Sequence, residues 1–291
     1  NKLTPEEQDI IDGLVSSFRR SEKLQIHTRF LYSVGSIYRR HNGNLLYHGC
    51  IPCDGNGEFM EFSLYSDTPL KGRAFLDWAD RLARQGYFAP DGSMERLRGL
   101  DFLWFLWCGR NSPICGRTKI TPFERALIED KASYTEPKNP YYVYYGSEEF
   151  CRRILDDFDL HKPWSRIING HMPVKVKEGE DPRKGGGRLV VIDGGFCKAY
   201  HKQTGIAGYT MFFSSHGMRI AAHEPFTTRE EAIHGKKDIT SHSFIVENLP
   251  RRLMISDTDA GEGIKRRIED LNALLDAYRS GTIKTDSTGR I

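Results

Sequence analysis

Three stretches of this sequence set a titratable side chain on backbone that can present it. In Leu45-Leu46-Tyr47-His48-Gly49, an apolar strand pattern ends in histidine and glycine follows at once. Ile167-Ile168-Asn169-Gly170-His171-Met172-Pro173 repeats the plan, with a glycine turn before the histidine and a proline that ends regular structure. Leu189-Val190-Val191-Ile192-Asp193-Gly194-Gly195 ends a buried strand in aspartate. A histidine at the carboxyl end of a buried strand can present its ring to a crevice, and a neighbouring glycine lets the chain turn and a ligand approach. Neutral imidazole is the commonest protein metal ligand near neutral pH, so two such strand ends in one chain strengthen the case for metal ligation. Taken singly, each histidine equally suits a buried, hydrogen-bonded structural role. Asp193 could orient a ligand histidine from behind, or fold back to cap backbone amides.

Other signals are weaker. Lys175, Lys177, Arg183, Lys184, Arg188 and Lys198 surround Gly185-Gly186-Gly187, and such a loop can face phosphate. The interspersed Glu178, Glu180 and Asp181 make a solvated surface loop the alternative. Cys50-x-x-Cys53 has no second C-x-x-C to complete a zinc site, so reduced structural thiols are expected. His216, His223, His234 and His242 read as structural or exposed.

The elements that position these residues follow from pattern. Thr4-Pro5-Glu6-Glu7 is a capping box, followed by an apolar helical face from Ile10 to Phe18. A second helix is expected over 22–40, short strands over 44–48 and 59–65, and a helix from Thr68-Pro69. Another helix carries Met94, Leu97, Trp104 and Trp107 and stops at Gly109, and Thr121-Pro122-Phe123-Glu124 suggests a further capping box. Beyond a tyrosine-rich stretch, Ser147 caps a helix to about Phe158. Strands are expected at 167–168, 188–192 and 252–256, a hairpin at 209–213 and 218–223, and a helix over 263–279. The division expected is 1–66, a helical insertion at 67–140, a second strand-rich part at 141–256, and a terminal helix and tail at 257–291.

Composition narrows the function classes. The 291 residues are 38% hydrophobic and 28% charged, with 42 basic and 39 acidic side chains. That near balance removes a global electrostatic case for nucleic acid or membrane binding. Apolar runs stay short of the roughly 18 residues of a membrane span, and no leader pattern opens the chain. A cytoplasmic protein with six reduced cysteines is expected. The start at Asn1, directly in a helical pattern, suits an excised segment.

The order strand-His-Gly, Gly-His-x-Pro, Ile-Asp-x-Gly is similar to the C-terminal half of the calcineurin-like metallophosphoesterases. The wording "LLYHGCIPCD", "INGHMPVKVKEGEDPRKGGGRLVVIDGGFCKAYHKQTGIAGYTM" and "SSHGMRIAAHEPF" resembles class III fructose-1,6-bisphosphatase, a bacterial type, over nearly the whole chain. The resemblance implies an α/β fold: part of a two-sheet metallophosphoesterase sandwich flanked by helices, with a helical insertion. It implies a site of two metal ions, often Mn2+ in this class, with His48 and His171 on one of them. The family's G-H-x-H is shortened here to Gly170-His171-Met172-Pro173, as in the protein-phosphatase-like branch.

The D-x-H, G-D-x-x-D-R-G and G-N-H-[DE] motifs are expected to be missing from this chain. In the family they lie N-terminal to the first motif seen here and supply the bridging carboxylate, an Asn ligand and the His acid. The catalytic residues are therefore expected outside these residues, and two imidazoles without carboxylates make a poor site for a hard cation. The implied activity of the longer protein is hydrolysis of fructose 1,6-bisphosphate to fructose 6-phosphate, a gluconeogenic phosphoric monoester hydrolysis, the piece alone being inactive. Alternatives are a protein or nucleotide phosphatase of the same superfamily, and a non-catalytic assembly or regulatory domain with structural histidines. The Trp104–Trp107 helix is read as core or as an oligomer face, which leaves a homo-oligomer open.

Overall fold

Short runs of Leu, Ile and Val around each chemical motif form the centre of a sheet. The structure is a computed structural model describing residues 2–197, 200–206, 208–225, 228–235 and 241–284. Two compact units emerge, one of Asn1–Tyr38 with Met60–Pro137 and one of Arg39–Phe59 with Lys138–Ile291.

The second unit carries two sheets. The first has the order β1-β2-β3-β5-β4, with β1 at Tyr38–His41, β2 at Asn44–Tyr47, β3 at Ile167–Asn169, β4 at Arg183–Lys184 and β5 at Leu189–Val191. Strands β2, β3 and β5 are parallel, and the register aligns Tyr47, Asn169 and Val191 as their last residues. Leu45, Ile167, Leu189 and Val190 are fully buried, as expected of parallel strands covered on both faces. Each such side chain contributes roughly 1.5–3 kcal/mol of burial. The second sheet is antiparallel: β6 at Gly208–Ser214, β7 at Gly217–His223 and β8 at Ser241–Asn248. The mixed α/β class with two sheets matches the sequence expectation. The hairpin of β6 and β7 turns where expected, whereas β8 was not anticipated. Arg166 beside β3 and Glu247 on β8 form an ion pair at 2.5 Å, with side chains only 12% and 17% exposed.

The first unit is helical. Helix α1, Pro5–Arg20, opens with the expected capping box: Glu7 N donates to Thr4 Oγ1 at 3.2 Å and Thr4 N donates to Glu7 Oε2 at 2.7 Å. Helix α2, Glu22–Val34, stops earlier than expected, because Gly35 caps it by donating to the Leu31 carbonyl and Tyr38–His41 joins the sheet instead. Helices α3, Gly72–Phe88, and α4, Met94–Cys108, cross so closely that a Cβ on Gly99 would lie 2.2 Å from the Gly86 nitrogen. Glycine is required on both sides of that approach. Trp104 and Trp107 remain exposed.

Local expectations also fail in four other places. Thr68-Pro69 precedes the helix without starting it, since Leu70 pairs with Phe62 in an isolated bridge. That bridge and one between Cys53 and Phe59 replace the strand expected over 59–65. Thr121 sits before helix α5, Pro122–Leu127, yet its hydroxyl donates to the Tyr134 carbonyl and Glu136 rather than capping. Residues 252–254 are irregular and Ile255–Asp257 form a 3-10 turn in place of a strand.

The remaining helices lie in the second unit: α6 at Tyr141–Tyr144, α7 at Glu148–Asp157, α8 at His201–Thr204, α9 at Arg229–His234 and α10 at Asp259–Arg279. Ser147 caps α7 by accepting from Phe150 N. Thr258 caps α10 four residues earlier than the expected start. Among the described residues no helix is long and apolar enough to cross a membrane.

Candidate metal centre

Parallel register decides where the histidines go. His48 and Gly170 each follow the last residue of neighbouring strands, and Gly170 N donates to the His48 carbonyl at 3.1 Å. His171 comes next, and its Nδ1 lies 3.0 Å from Nε2 of His48 across 123 sequence positions. The rings meet edge to face with centroids 5.0 Å apart. His48 is exposed and His171 half-buried.

The turn that delivers His171 differs from the one expected. Gly170 is not in the left-handed region; His171 itself is, at φ 67°, and Met172 N donates to the Gly170 carbonyl at 2.8 Å. This is a γ-turn closed around a non-glycine residue, a strained conformation of the sort held in place only by its surroundings. Asn169 supplies much of that holding. Its Nδ2 donates to the carbonyls of Gly49 at 2.7 Å and His48 at 3.0 Å, tying the two histidine-bearing strand ends together. Tyr141 Oη donates to Asn169 Oδ1 at 3.4 Å and sits 2.7 Å from Tyr47 Oη. Burial holds both phenols well above their ordinary pKa, so they act as neutral hydroxyls.

The supporting residues escaped the sequence reading, although Asn169 lay inside a quoted motif. An amide that ends a buried strand and is followed by Gly-His is itself a signal, since a buried amide must find partners. Tyr141 lay in the stretch noted only for its tyrosines.

Asp193 is occupied with nearby backbone amides. Its Oδ1 accepts from Gly195 N at 2.9 Å, and its carbonyl accepts from Val174 N at 2.9 Å. The basic loop is interlaced with acids: Lys175 pairs with Glu178, Arg183 with Asp181, and Lys184 with Glu180 at 2.7 Å. Lys177 donates to the Lys202 carbonyl, and Arg188 reaches Glu148 and the Pro163 carbonyl. Lys198 lies outside the described residues. Cys50 and Cys53 are buried, and burial, assisted by Asp54, pushes Cys53 up to about 12.

One expectation needs correction on spelling. Asp159-Leu160-His161 does read D-x-H. It lies after α7 and after the first histidine motif, with His161 Nδ1 3.1 Å from Asp156 and Asp159 3.6 Å from Arg40. Among the described residues no group of three or more His, Cys, Asp or Glu side chains is placed to hold a metal ion. The histidine pair is thus two potential ligands of one ion, within the roughly 4 Å ceiling set by bonds of about 2.1 Å, with the rest of a coordination sphere still to be supplied.

Comparison with known proteins gives the arrangement a context. The profile of the Firmicute fructose-1,6-bisphosphatase family matches residues 1–280. A class 3 fructose-1,6-bisphosphatase of Clostridium botulinum (strain 657 / Type Ba4) is 50% identical over 290 residues, covering 100% of this chain and 43% of the relative. One from Clostridioides difficile (strain 630) is 48% identical over 283 residues, 97% of this chain and 43% of the relative. The chain therefore spans less than half the length of the curated relatives it matches. No solved structure matches it.

Proposed function

The chain belongs to the Firmicute fructose-1,6-bisphosphatase family, and from that premise we propose that it forms one part of a metal-dependent sugar-bisphosphate phosphatase. The reaction is removal of the 1-phosphate of fructose 1,6-bisphosphate to give fructose 6-phosphate, as a gluconeogenic step in the cytoplasm. The observation that carries the reading is the 3.0 Å approach of His48 Nε2 and His171 Nδ1 at adjacent strand ends.

His48 and His171 are the residues that would hold a divalent ion, with Mn2+ the proposed choice. Such an ion supplies Lewis acidity toward a phosphoryl oxygen. The residues of this chain do the positioning. Asn169 fixes both strand ends through the Gly49 and His48 carbonyls, and the γ-turn aims Nδ1 of His171 at its partner. Two neutral imidazoles bring no negative charge, so the carboxylates required by a hard cation come from polypeptide beyond these residues. On this reading the 291 residues alone are inactive. Asp193 is proposed to support the site through its backbone, holding Val174 just after the His171 turn. Lys175, Lys177, Arg183, Lys184 and Lys198 remain proposals for the distal phosphate, since Lys175, Arg183 and Lys184 must first leave their acidic partners.

Expressing the complete coding sequence and assaying phosphate release separates the readings. Turnover of fructose 1,6-bisphosphate, abolished by His48→Ala and by His171→Ala, is the expected result. Preference for a phosphopeptide or a dinucleotide would favour another phosphatase of the superfamily. Full activity in both histidine variants would favour a structural histidine pair.

A further inference from the structure

The opposite end of the same sheet holds a second polar site. A cavity of about 210 Å³ is lined by Arg152, Asp156, His161, Lys162, Ser165 and Arg188, among others. Arg188 precedes β5 and Ser165 precedes β3 by one residue beyond Arg166, so the cavity opens at the amino ends of the parallel strands. His48 and His171 lie beyond the carboxyl ends. At about 3.3 Å per residue, the three-residue strand alone sets the two regions roughly 10 Å apart. The volume is small beside the roughly 300–1,000 Å³ of drug-sized pockets, which suits an ion or a small metabolite.

Two guanidiniums at this cavity draw on one carboxylate. Arg152 donates to Glu148 Oε1 at 2.6 Å, and Arg188 Nε lies 3.6 Å from the same oxygen. One carboxylate thus serves two guanidiniums. Lys162 has Glu262 at 2.7 Å and His161 has Asp156 at 3.1 Å. The neighbouring Arg166 guanidinium is paired with Glu247 at 2.5 Å; burial lowers its pKa and Glu247 opposes that, with Arg188 and Arg152 adding to the lowering and Glu148 opposing it. Ser165 is 1% exposed, and its hydroxyl has no hydrogen-bond partner among the described residues. Buried hydroxyls are normally paired, and one left open beside two guanidiniums that share a single carboxylate marks a place for an acceptor.

We propose that the cavity at the amino ends of β3 and β5 binds a phosphate group, held by Arg152, Arg188 and Lys162 with Ser165 donating. Guanidinium forks match phosphate oxygens two at a time, which favours phosphate over a halide or a single carboxylate. The site is separate from the histidine pair and does not depend on the phosphatase reading. It also gives Arg188 a role distinct from the distal-phosphate loop in which its neighbours stand.

The test is calorimetric titration of the 291-residue chain at about 0.15 M salt, where surface attraction is screened within roughly 8 Å. Inorganic phosphate and glycerol 3-phosphate are the two probes. One saturable site per chain is expected, with tighter binding of glycerol 3-phosphate identifying a phosphomonoester as the source and equal binding identifying free phosphate. Arg152→Gln, at a half-exposed side chain, should weaken it at least tenfold without lowering the melting temperature. Ser165→Ala, which removes a hydroxyl lacking any partner among the described residues, should weaken it several-fold. Arg266→Gln, on the exposed face of α10, should leave it unchanged. No saturable binding of either probe, or binding that Arg152→Gln and Ser165→Ala leave intact, would overturn the proposal.

Discussion

The two ends of the parallel sheet are built on opposite principles. At the carboxyl ends, His48 and His171 meet at 3.0 Å, with no metal-holding group of three or more His, Cys, Asp or Glu among the described residues, and neutral groups hold them in place: the Asn169 amide, backbone carbonyls and two tyrosine hydroxyls. At the amino ends, Arg152, Arg166 and Arg188 crowd together and are partly compensated by Glu148 and Glu247. Charge at one end is drawn from ion pairs within the chain, with Arg152 and Arg188 sharing Glu148; at the other, ligand geometry is fixed while charge is left to come from outside. An end whose positions are held by uncharged hydrogen bonds can keep its shape before an ion or a partner segment arrives. An end held by ion pairs depends on every member of the set.

Breaking each end should therefore give different signatures. The largest effect is expected at the amino end. Glu247→Gln leaves the Arg166 guanidinium buried without its carboxylate, and the cost should be about 3–5 kcal/mol in chemical denaturation. Next is Asn169→Ala, which strips the carbonyls of His48 and Gly49 of their donor. A loss of about 2–3 kcal/mol is expected, together with divergence of the two imidazoles, seen as loss of their mutual nuclear Overhauser contact. His48→Ala should do the reverse, lowering metal affinity at least tenfold while changing stability by less than about 1 kcal/mol, because the ring is exposed. If Asn169→Ala proved silent and His48→Ala strongly destabilising, the contrast between the two ends would fail.

The smallest effect concerns the basic loop beside β4. Burial by itself would raise the Glu180 carboxyl, but the Lys175 amide and the Lys184 ammonium outweigh it and hold its pKa below 4.5. A depressed carboxyl contributes stability that is fully present above its unfolded value and disappears as pH falls through the folded one. The Lys175 amide shift, followed by NMR during acid titration, should move with a midpoint below 4.5. A midpoint at or above that value would mean the loop is not tied down as described.

How much of this was legible in the sequence varies by residue. The strand ends at His48 and His171 could be read because an apolar run, a glycine and a histidine occur together twice, and parallel register then makes them neighbours. The capping box at Thr4 was legible for a local reason, since every partner lies within three residues. The one at Thr121 failed because Glu136 and Tyr134, more than a dozen residues on, compete for the same hydroxyl. Helix α2 ends short of the expected 22–40 because Gly35 closes it on the Leu31 carbonyl, a stop that a glycine permits without compelling. A glycine turn was expected before the histidine; the left-handed residue is His171 itself, since glycine permits such a conformation but does not compel it. The amino-end cavity was invisible, because Arg152, Lys162, Ser165 and Arg188 share no motif and meet only through the topology.

The central claim is that His48 and His171 are two ligands of one ion. Imidazole nitrogen spectra of the protein expressed from the complete coding sequence, recorded while Mn2+ is added well below one equivalent, test it directly. Broadening of His48 Nε2 and His171 Nδ1 together, lost from the remaining ring when either histidine is replaced by alanine, is the predicted result. Broadening of one ring alone, of neither, or of a ring that persists without its partner would contradict it.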